Sequence, residues 1–231
     1  MFDITYNGKT AKSLGINITK RPDVPSPNKK IKSIDIPGRD GKLIEFNGEY
    51  EDIDIKVDMN FVSSPDEIGE RFRNLKKWIL GNNGKLFFSD DVTIFYKVKY
   101  AEVGNLKREA REGASVLVTF TCDPYTYFAN GEMAQVLKST LNNPYEISHP
   151  IYKIVGEGMC TLTVNGKTVK ANVGQNLTID AERMLAYRQD GTLMNTSLSG
   201  DYESLYLIPG DNRISVSPNF VTTIIPNWRC L

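Results

Sequence analysis

The chain has 231 residues, 40% hydrophobic and 24% charged, and its 28 basic and 28 acidic side chains cancel to a formal net charge of zero. That length holds one large or two modest domains with real cores, and the composition excludes wholesale disorder. Charge balance argues against binding nucleic acid by phosphate neutralisation, and no apolar run reaches the roughly 20 residues that span a bilayer.

The polar start MFDITYNGKT lacks the basic and apolar regions of a signal peptide, so synthesis and folding in a cytoplasm are expected. Phe2, Ile4 and Tyr6 alternate, Asn7-Gly8 turns the chain, and Leu14, Ile16 and Ile18 alternate again, predicting a first strand pair. Residues 20–30 (KRPDVPSPNKK) mix prolines with basic side chains and read as a solvated loop or extended edge segment.

Residues 33–61 organise the first half. Pro37-Gly38-Arg39-Asp40-Gly41 reads as a tight turn, and Ile53, Ile55, Val57, Met59 and Phe61 then alternate with polar residues as in a strand with one wet face. A hairpin with a charged tip and this strand as its return arm suits reaching a neighbour better than catalysis. A helix over about 65–80 follows. Ser64 is its expected N-cap, Pro65 its first residue and Glu67 its capping-box partner; Ile68, Phe72, Leu75 and Ile79 form its apolar stripe, and Gly81 is its left-handed C-cap.

Two strands flank Ser89-Asp90-Asp91, which reads as a turn rather than a calcium loop, since the further oxygen ligands such a loop needs do not follow. After the charged connector GNLKREAREG, Val116, Val118, Phe120 and Cys122 alternate in a strand that Asp123-Pro124-Tyr125 should end. Residues 128–143 read as a linker with a short helix or continued strand.

Beyond Pro144, short strands and frequent turns predict a β-sandwich. It holds a hairpin on Asn165-Gly166, alternation at Leu177 and Ile179 and at Leu185 and Tyr187, a second hairpin pairing 205–207 with 214–216, and a last strand over 221–225. Tyr187, Tyr202, Tyr206 and Trp228 are better placed in core and edge packing than on a sugar-stacking platform.

No catalytic constellation stands out: GxSxG, P-loop and dinucleotide fingerprints are absent, and no acid/base pair can be nominated. With one histidine, His149, a zinc site or Ser-His-Asp triad is not expected. Cys122, Cys160 and Cys230 are scattered and read as buried free thiols. The chain is therefore expected to have no enzymatic activity, cofactor, metal, nucleic-acid specificity or membrane contact.

IPGRDG with the strand after it, WILGNNGKLFFSDD, FYKVKY, VTFTCDPY, NPYEISHPIYKIVGEGMCTLTVNG, LYLIPGDNRISV and IIPNWRCL occur in an order that resembles the distal tail proteins of long-tailed, non-contractile phages and prophages. The likeness covers nearly the whole chain. It implies a mainly β fold with one helix: an N-terminal split-barrel-like, ring-forming domain (1–140) and a C-terminal galectin-like β-sandwich (141–231), with the last strand free to return to the first domain. It also implies a structural virion protein, assembled in the bacterial host cytoplasm and placed at the tail tip as a six-fold ring, with stacked rings an option. Its partners would be its own copies, the tail-tube protein, the tail-tip protein and receptor-binding proteins.

Arg39, Asp40, Tyr50 and Asp52 are the candidate intersubunit contacts. Residues 188–201 are too short for the receptor-gripping arm that some members carry, and His149 and Trp228 do not stand in galectin-type sugar motifs. The alternative reading is a carbohydrate-binding adhesin module that recognises cell-wall polysaccharide.

Overall fold

The computed structural model describes residues 2–81, 84–108 and 110–231; Asn82 and Asn83 at the expected helix exit and Glu109 in the charged connector lie outside the described residues. Contacts divide the chain into a first unit that ends at Thr126 and a second unit, Tyr127–Cys230. The expected boundary at 140 falls inside the second unit, because residues on both sides of it pair with strands of that unit's sheet.

In the first unit, Asn7 and Gly8 both take positive φ (50° and 75°) and turn β1 (Ile4–Tyr6) into β2 (Lys9–Thr10). Leu14 closes a 3-10 turn and stays exposed, so only β3 (Asn17–Ile18) remains of the second predicted strand. Residues 21–28 form no helix or strand, and β4 (Lys29–Asp35) and β5 (Lys42–Tyr50) form a two-stranded sheet of their own.

The expected return strand is a separate element. β6 (Ile53–Val62) buries Ile53, Ile55, Val57, Met59 and Phe61 and exposes most of the residues between them. After α1 (Ile68–Ile79) come β7 (Gly84–Phe88), β8 (Asp91–Val103), the short β9 (Lys107–Arg108) and β10 (Gly113–Phe128). The main sheet is an open, curled half-barrel in the order β2-β1-β7-β8-β10-β6-β3. β6 and β10 pair in register from Val62↔Gly113 to Ile53↔Cys122, which puts Val116, Val118, Phe120 and Cys122 in the core against the odd-numbered side chains of β6.

Two helix-end expectations are corrected. The Ser64 carbonyl takes the N–H groups of Glu67 and Ile68, but no side chain caps α1; the Glu67 carboxylate accepts instead from Ser63 Oγ at 3.1 Å. The helix exits through Leu80, and Gly81 does not take a left-handed φ. The apolar stripe does face the core: Ile68, Leu75 and Ile79 are buried and Phe72 packs beside them.

β10 also runs through Asp123-Pro124-Tyr125 instead of ending there. Proline lacks the N–H a ladder needs, but Pro124 lies past the last β6–β10 pair, Ile53↔Cys122, where no β6 residue requires a donor.

The second unit holds β11 (Gln135–Val136), β12 (Thr140–Asn143), β13 (Ile151–Val164), β14 (Lys167–Asp180), β15 (Leu185–Tyr187), β16 (Leu198–Ser199), β17 (Gly210–Val216), β18 (Val221–Ile225) and β19 (Arg229–Cys230). Its centre is the β13–β14 hairpin, closed by Asn165 and Gly166 at φ 50° and 81°. β13 pairs with β18 over Ile151–Val155 and with β17 over Leu162–Val164. Gly156 and Gly158, at φ 155° and 96°, lie between those two partners, where the strand needs a bend to serve both layers of the sandwich.

The predicted 205–207/214–216 hairpin does not form. Leu207 bridges Ser148, and β17 pairs with β12 and β13. Ala186, not its neighbours Leu185 and Tyr187, is the buried residue of β15. β18 stays with β13 and β11, whereas the terminal strand β19 pairs with β10.

Candidate assembly interface

The β4–β5 hairpin has no buried residue: every side chain in it is exposed except the partly covered Ile34 and Tyr50. It is nonetheless apolar. Cross-strand pairing puts Ile31 opposite Phe46 and Ser33 opposite Ile44 on one face, and Ile34 opposite Leu43 on the other. Ile31 and Ile44 are 54% and 61% exposed, and Ile36, Leu43 and Phe46 are also open to solvent. A free two-stranded hairpin is marginal in water, and apolar side chains contribute stability only when something covers them.

Lysines border both faces; the Lys29 ammonium lies 5.0 Å from the Phe46 ring centre, and Lys30 pairs with Glu49 at 3.3 Å. Such a rim keeps an exposed edge soluble.

Arg39 and Asp40 sit at the tip, in a turn closed by the Arg39 N–H to the Ile36 carbonyl, with Gly38 and Gly41 at φ 80° and 79°. Both side chains are exposed, and they make no ion pair with each other or with any other described residue.

Tyr50 and Asp52 are placed differently, at the hairpin's base. The Tyr50 ring stands edge-on to Phe46 (5.7 Å, 75°) and to Tyr125 (6.4 Å, 74°), continuing the apolar face of the hairpin onto the sheet. Asp52 is engaged within its own chain: Lys99 Nζ lies 2.6 Å from its carboxylate and 3.1 Å from that of Asp123. Partial burial alone would lower the Lys99 pKa, but the two carboxylates outweigh it and raise the pKa above the ordinary lysine value. The carbonyl of Asn28 takes the N–H of Glu51, so both arms of the hairpin are tied together where they leave the sheet.

The other singled-out residues are structural. His149 stacks on Tyr206 with ring centres 4.0 Å apart, and Arg229 Nη2 lies 3.0 Å from its Nε2. Trp228 belongs to the second core, and Tyr202 and Tyr206 pack against it. Asp90 pairs with Arg21, while Asp91 accepts from the backbone and hydroxyl of Thr93.

All three cysteines are free; Cys122 and Cys160 are buried, and Cys230 is half-buried rather than buried. Burial, aided by Asp123, Asp54 and Asp52, pushes the Cys122 thiol up to about 12, which keeps it protonated and unreactive at neutral pH. Among the described residues, no cluster of three His, Cys, Asp or Glu side chains is arranged to hold a metal ion, and no helix is long and apolar enough to cross a membrane.

Sequence reasoning found the charged tip but missed the apolar faces behind it. The signal was present in Ile31, Ile34 and Ile36 and in Leu43, Ile44 and Phe46, a density of apolar residues that no in-chain partner covers.

Residues 7–122 match the family model of the phage tail protein RIFT-related domain. Among solved structures, the chain is similar to the SPP1 Dit (gp 19.1) protein, described as a paradigm of the hub adsorption apparatus in phages that infect Gram-positive bacteria. The match covers 100% of both chains at 14% identity with a TM-score of 0.68, and at that identity it shows a shared fold. No curated protein matches the sequence.

Proposed function

Because the chain belongs to the phage tail protein family with a RIFT-related domain, we propose that it is a structural virion protein. In this reading it forms a six-fold ring at the distal end of a long non-contractile tail and joins the tail tube to the tail-tip adsorption apparatus. Its partners are its own copies, the tail-tube protein, the tail-tip protein and, through the second unit, receptor-binding proteins. It assembles in the host cytoplasm and performs no chemistry.

The observation that carries this reading is the β4–β5 hairpin, whose apolar side chains have no cover within their own chain. A subunit that extends an arm to the next copy makes a heterologous contact, and such contacts close into rings when the rotation between copies is a simple fraction of a turn. Closure also covers the sheet edges that an open half-barrel leaves exposed. The hub role of the structurally similar SPP1 protein supports the same place in the tail. Nothing favours the adhesin reading to a comparable degree, since Tyr202, Tyr206 and Trp228, three of the four aromatic residues that could have formed a sugar platform, pack in or around the second core.

Native mass by light scattering over a wide concentration range tests the proposal. The expected species is a hexamer or a pair of stacked hexamers, lost when residues 30–49 are replaced by a short glycine-serine linker. Assembly that survives this replacement would show that the hairpin is not what joins the subunits.

A further inference from the structure

Asparagine followed by glycine is prone to lose its side-chain amide without a catalyst, because glycine has no Cβ to screen its backbone nitrogen. Five such pairs occur in the chain: Asn7-Gly8, Asn47-Gly48, Asn83-Gly84, Asn130-Gly131 and Asn165-Gly166. The glycine nitrogen must reach the asparagine Cγ, so a pair that the fold holds in place reacts only after local opening.

At three of these pairs the asparagine itself is engaged. Asn165, which closes the β13–β14 hairpin, donates from Nδ2 to Asn212 Oδ1 at 2.7 Å and accepts the Arg213 N–H on Oδ1 at 2.9 Å. Asn130 lies in a 3-10 turn where its carbonyl takes the Met133 N–H. Its neighbour Gly131 is buried so closely on Trp228 that a Cβ there would lie 2.5 Å from the Trp228 nitrogen. Asn7 turns β1 into β2, and its Oδ1 is packed against Gly84. Asn83 lies outside the described residues, but Gly84, which would supply the attacking nitrogen, is paired with Val98.

Asn47-Gly48 differs. Lys29 pairs with Tyr50 and Ile31 with Phe46, so Lys30 alone stands opposite Asn47, Gly48 and Glu49, and β5 bulges there. Both residues of the pair are exposed and have no cross-strand partner in that register. The Asn47 carboxamide makes no hydrogen bond to any described residue. Gly48 sits at φ 83°, with no atom within 4 Å of the position a Cβ would take.

We infer that Asn47 is a site of spontaneous deamidation, selected by the bulge and not by the sequence pair alone. The Gly48 nitrogen attacks Asn47 Cγ and the Cγ–Nδ2 bond breaks. Nδ2 leaves as ammonia, carrying the proton of the Gly48 N–H, and a succinimide remains. Water then opens this ring with no change of oxidation state. Cleavage between Cγ and the Gly48 nitrogen gives aspartate; cleavage between the backbone carbonyl carbon and that nitrogen gives isoaspartate, whose main chain runs through Cγ. Either product puts a new carboxylate opposite Lys30, whose ammonium now lies 3.3 Å from Glu49. The inference concerns the single chain and does not depend on the ring reading.

The test is a time course on the full chain in warm neutral buffer, at a concentration where light scattering shows single chains. Peptide mapping by mass spectrometry follows each asparagine, enzymatic methylation detects isoaspartate, and a sample unfolded in urea runs beside it. In the folded chain, Asn47 is expected to convert at least about tenfold faster than Asn7, Asn130 and Asn165, with isoaspartate among its products. In urea, where every pair has similar freedom, that lead should shrink to about twofold or less. Equal rates at Asn47 and Asn165 in the folded chain overturn the inference. A lead that persists unchanged in urea also overturns it, since the neighbours in sequence would then set the rate. Conversion without isoaspartate rules out the succinimide.

Discussion

Two of the molecule's β-hairpins meet opposite fates. β13–β14 sits at the centre of the second unit, with partners on both flanks and Tyr152, Ile154, Cys160, Leu162 and Val164 buried along one strand. β4–β5 pairs with nothing else in its chain and buries no residue, although its apolar content is comparable. The difference lies in completion. One hairpin finishes a core inside its own chain; the other, in the reading proposed above, is finished by a second copy. Substitutions in the first should therefore show in folding, and those in the second in assembly.

The largest expected effect is on the completed hairpin. Tyr152 is fully buried and donates its hydroxyl to the Leu205 carbonyl at 2.9 Å, and burial raises its pKa above the ordinary tyrosine value. Tyr152→Ala leaves a ring-sized cavity and an unpaired carbonyl, and is expected to destabilise the second unit by about 3–5 kcal/mol in urea titrations. Ile44→Ser with Phe46→Ser removes two large apolar groups from the open hairpin. The expected change in the urea midpoint is near zero, because neither group is buried in the single chain. Assembly should weaken by about 3 kcal/mol, roughly a hundredfold in the concentration for half-association. Loss of stability in the second case, or no change in assembly, would break the comparison.

A matched pair of glycine substitutions sharpens it. Gly166 and Gly38 close the two hairpins at φ 81° and 80°, and a Cβ at either meets no atom within 4 Å, so alanine imposes the same backbone strain at both. That strain is about 1 kcal/mol. Gly166→Ala should lower global stability by that amount, whereas Gly38→Ala should leave the melting temperature unchanged and act only on assembly.

The same contrast explains what could be read from the sequence. The alternation of β6, the apolar stripe of α1 and the Asn165-Gly166 turn were legible because each element is completed by a core or a turn that leaves a local pattern. β5 was not separated from β6, since residues 42–50 have no buried face within their own chain to set an inside and an outside. Pro124 was read as a terminator because a single sequence does not say where β6 stops. Leu207 was assigned to the wrong partner because its bridge to Ser148 is set by tertiary packing far along the chain. At the candidate interface, Arg39 and Asp40 were legible as a charged turn, but the uncovered apolar faces of β4 and β5 behind it were not. Whether an apolar face is covered is decided by tertiary pairing, and composition carries no record of it.

The smallest expected effect is at the base of the open hairpin. Asp52 and Lys99 are 37% and 47% exposed, so their ion pair contributes at most about 1 kcal/mol to folding, and Lys99 keeps Asp123 as a second partner. Asp52→Asn is therefore expected to leave the melting temperature almost unchanged. Its consequence should be local, because Asp52 lies between the edge-on Tyr50–Tyr125 contact and the start of β6, where the direction of the hairpin is set. Amide hydrogen exchange in the single chain should become faster in β4 and β5 and stay the same in β6 and β13–β14. A pattern confined to the hairpin means that its base is held by this contact in advance of any partner. Unchanged exchange in β4 and β5 would assign that role to the aromatic contact and to the Asn28–Glu51 backbone bond, which Tyr125→Ala would then expose.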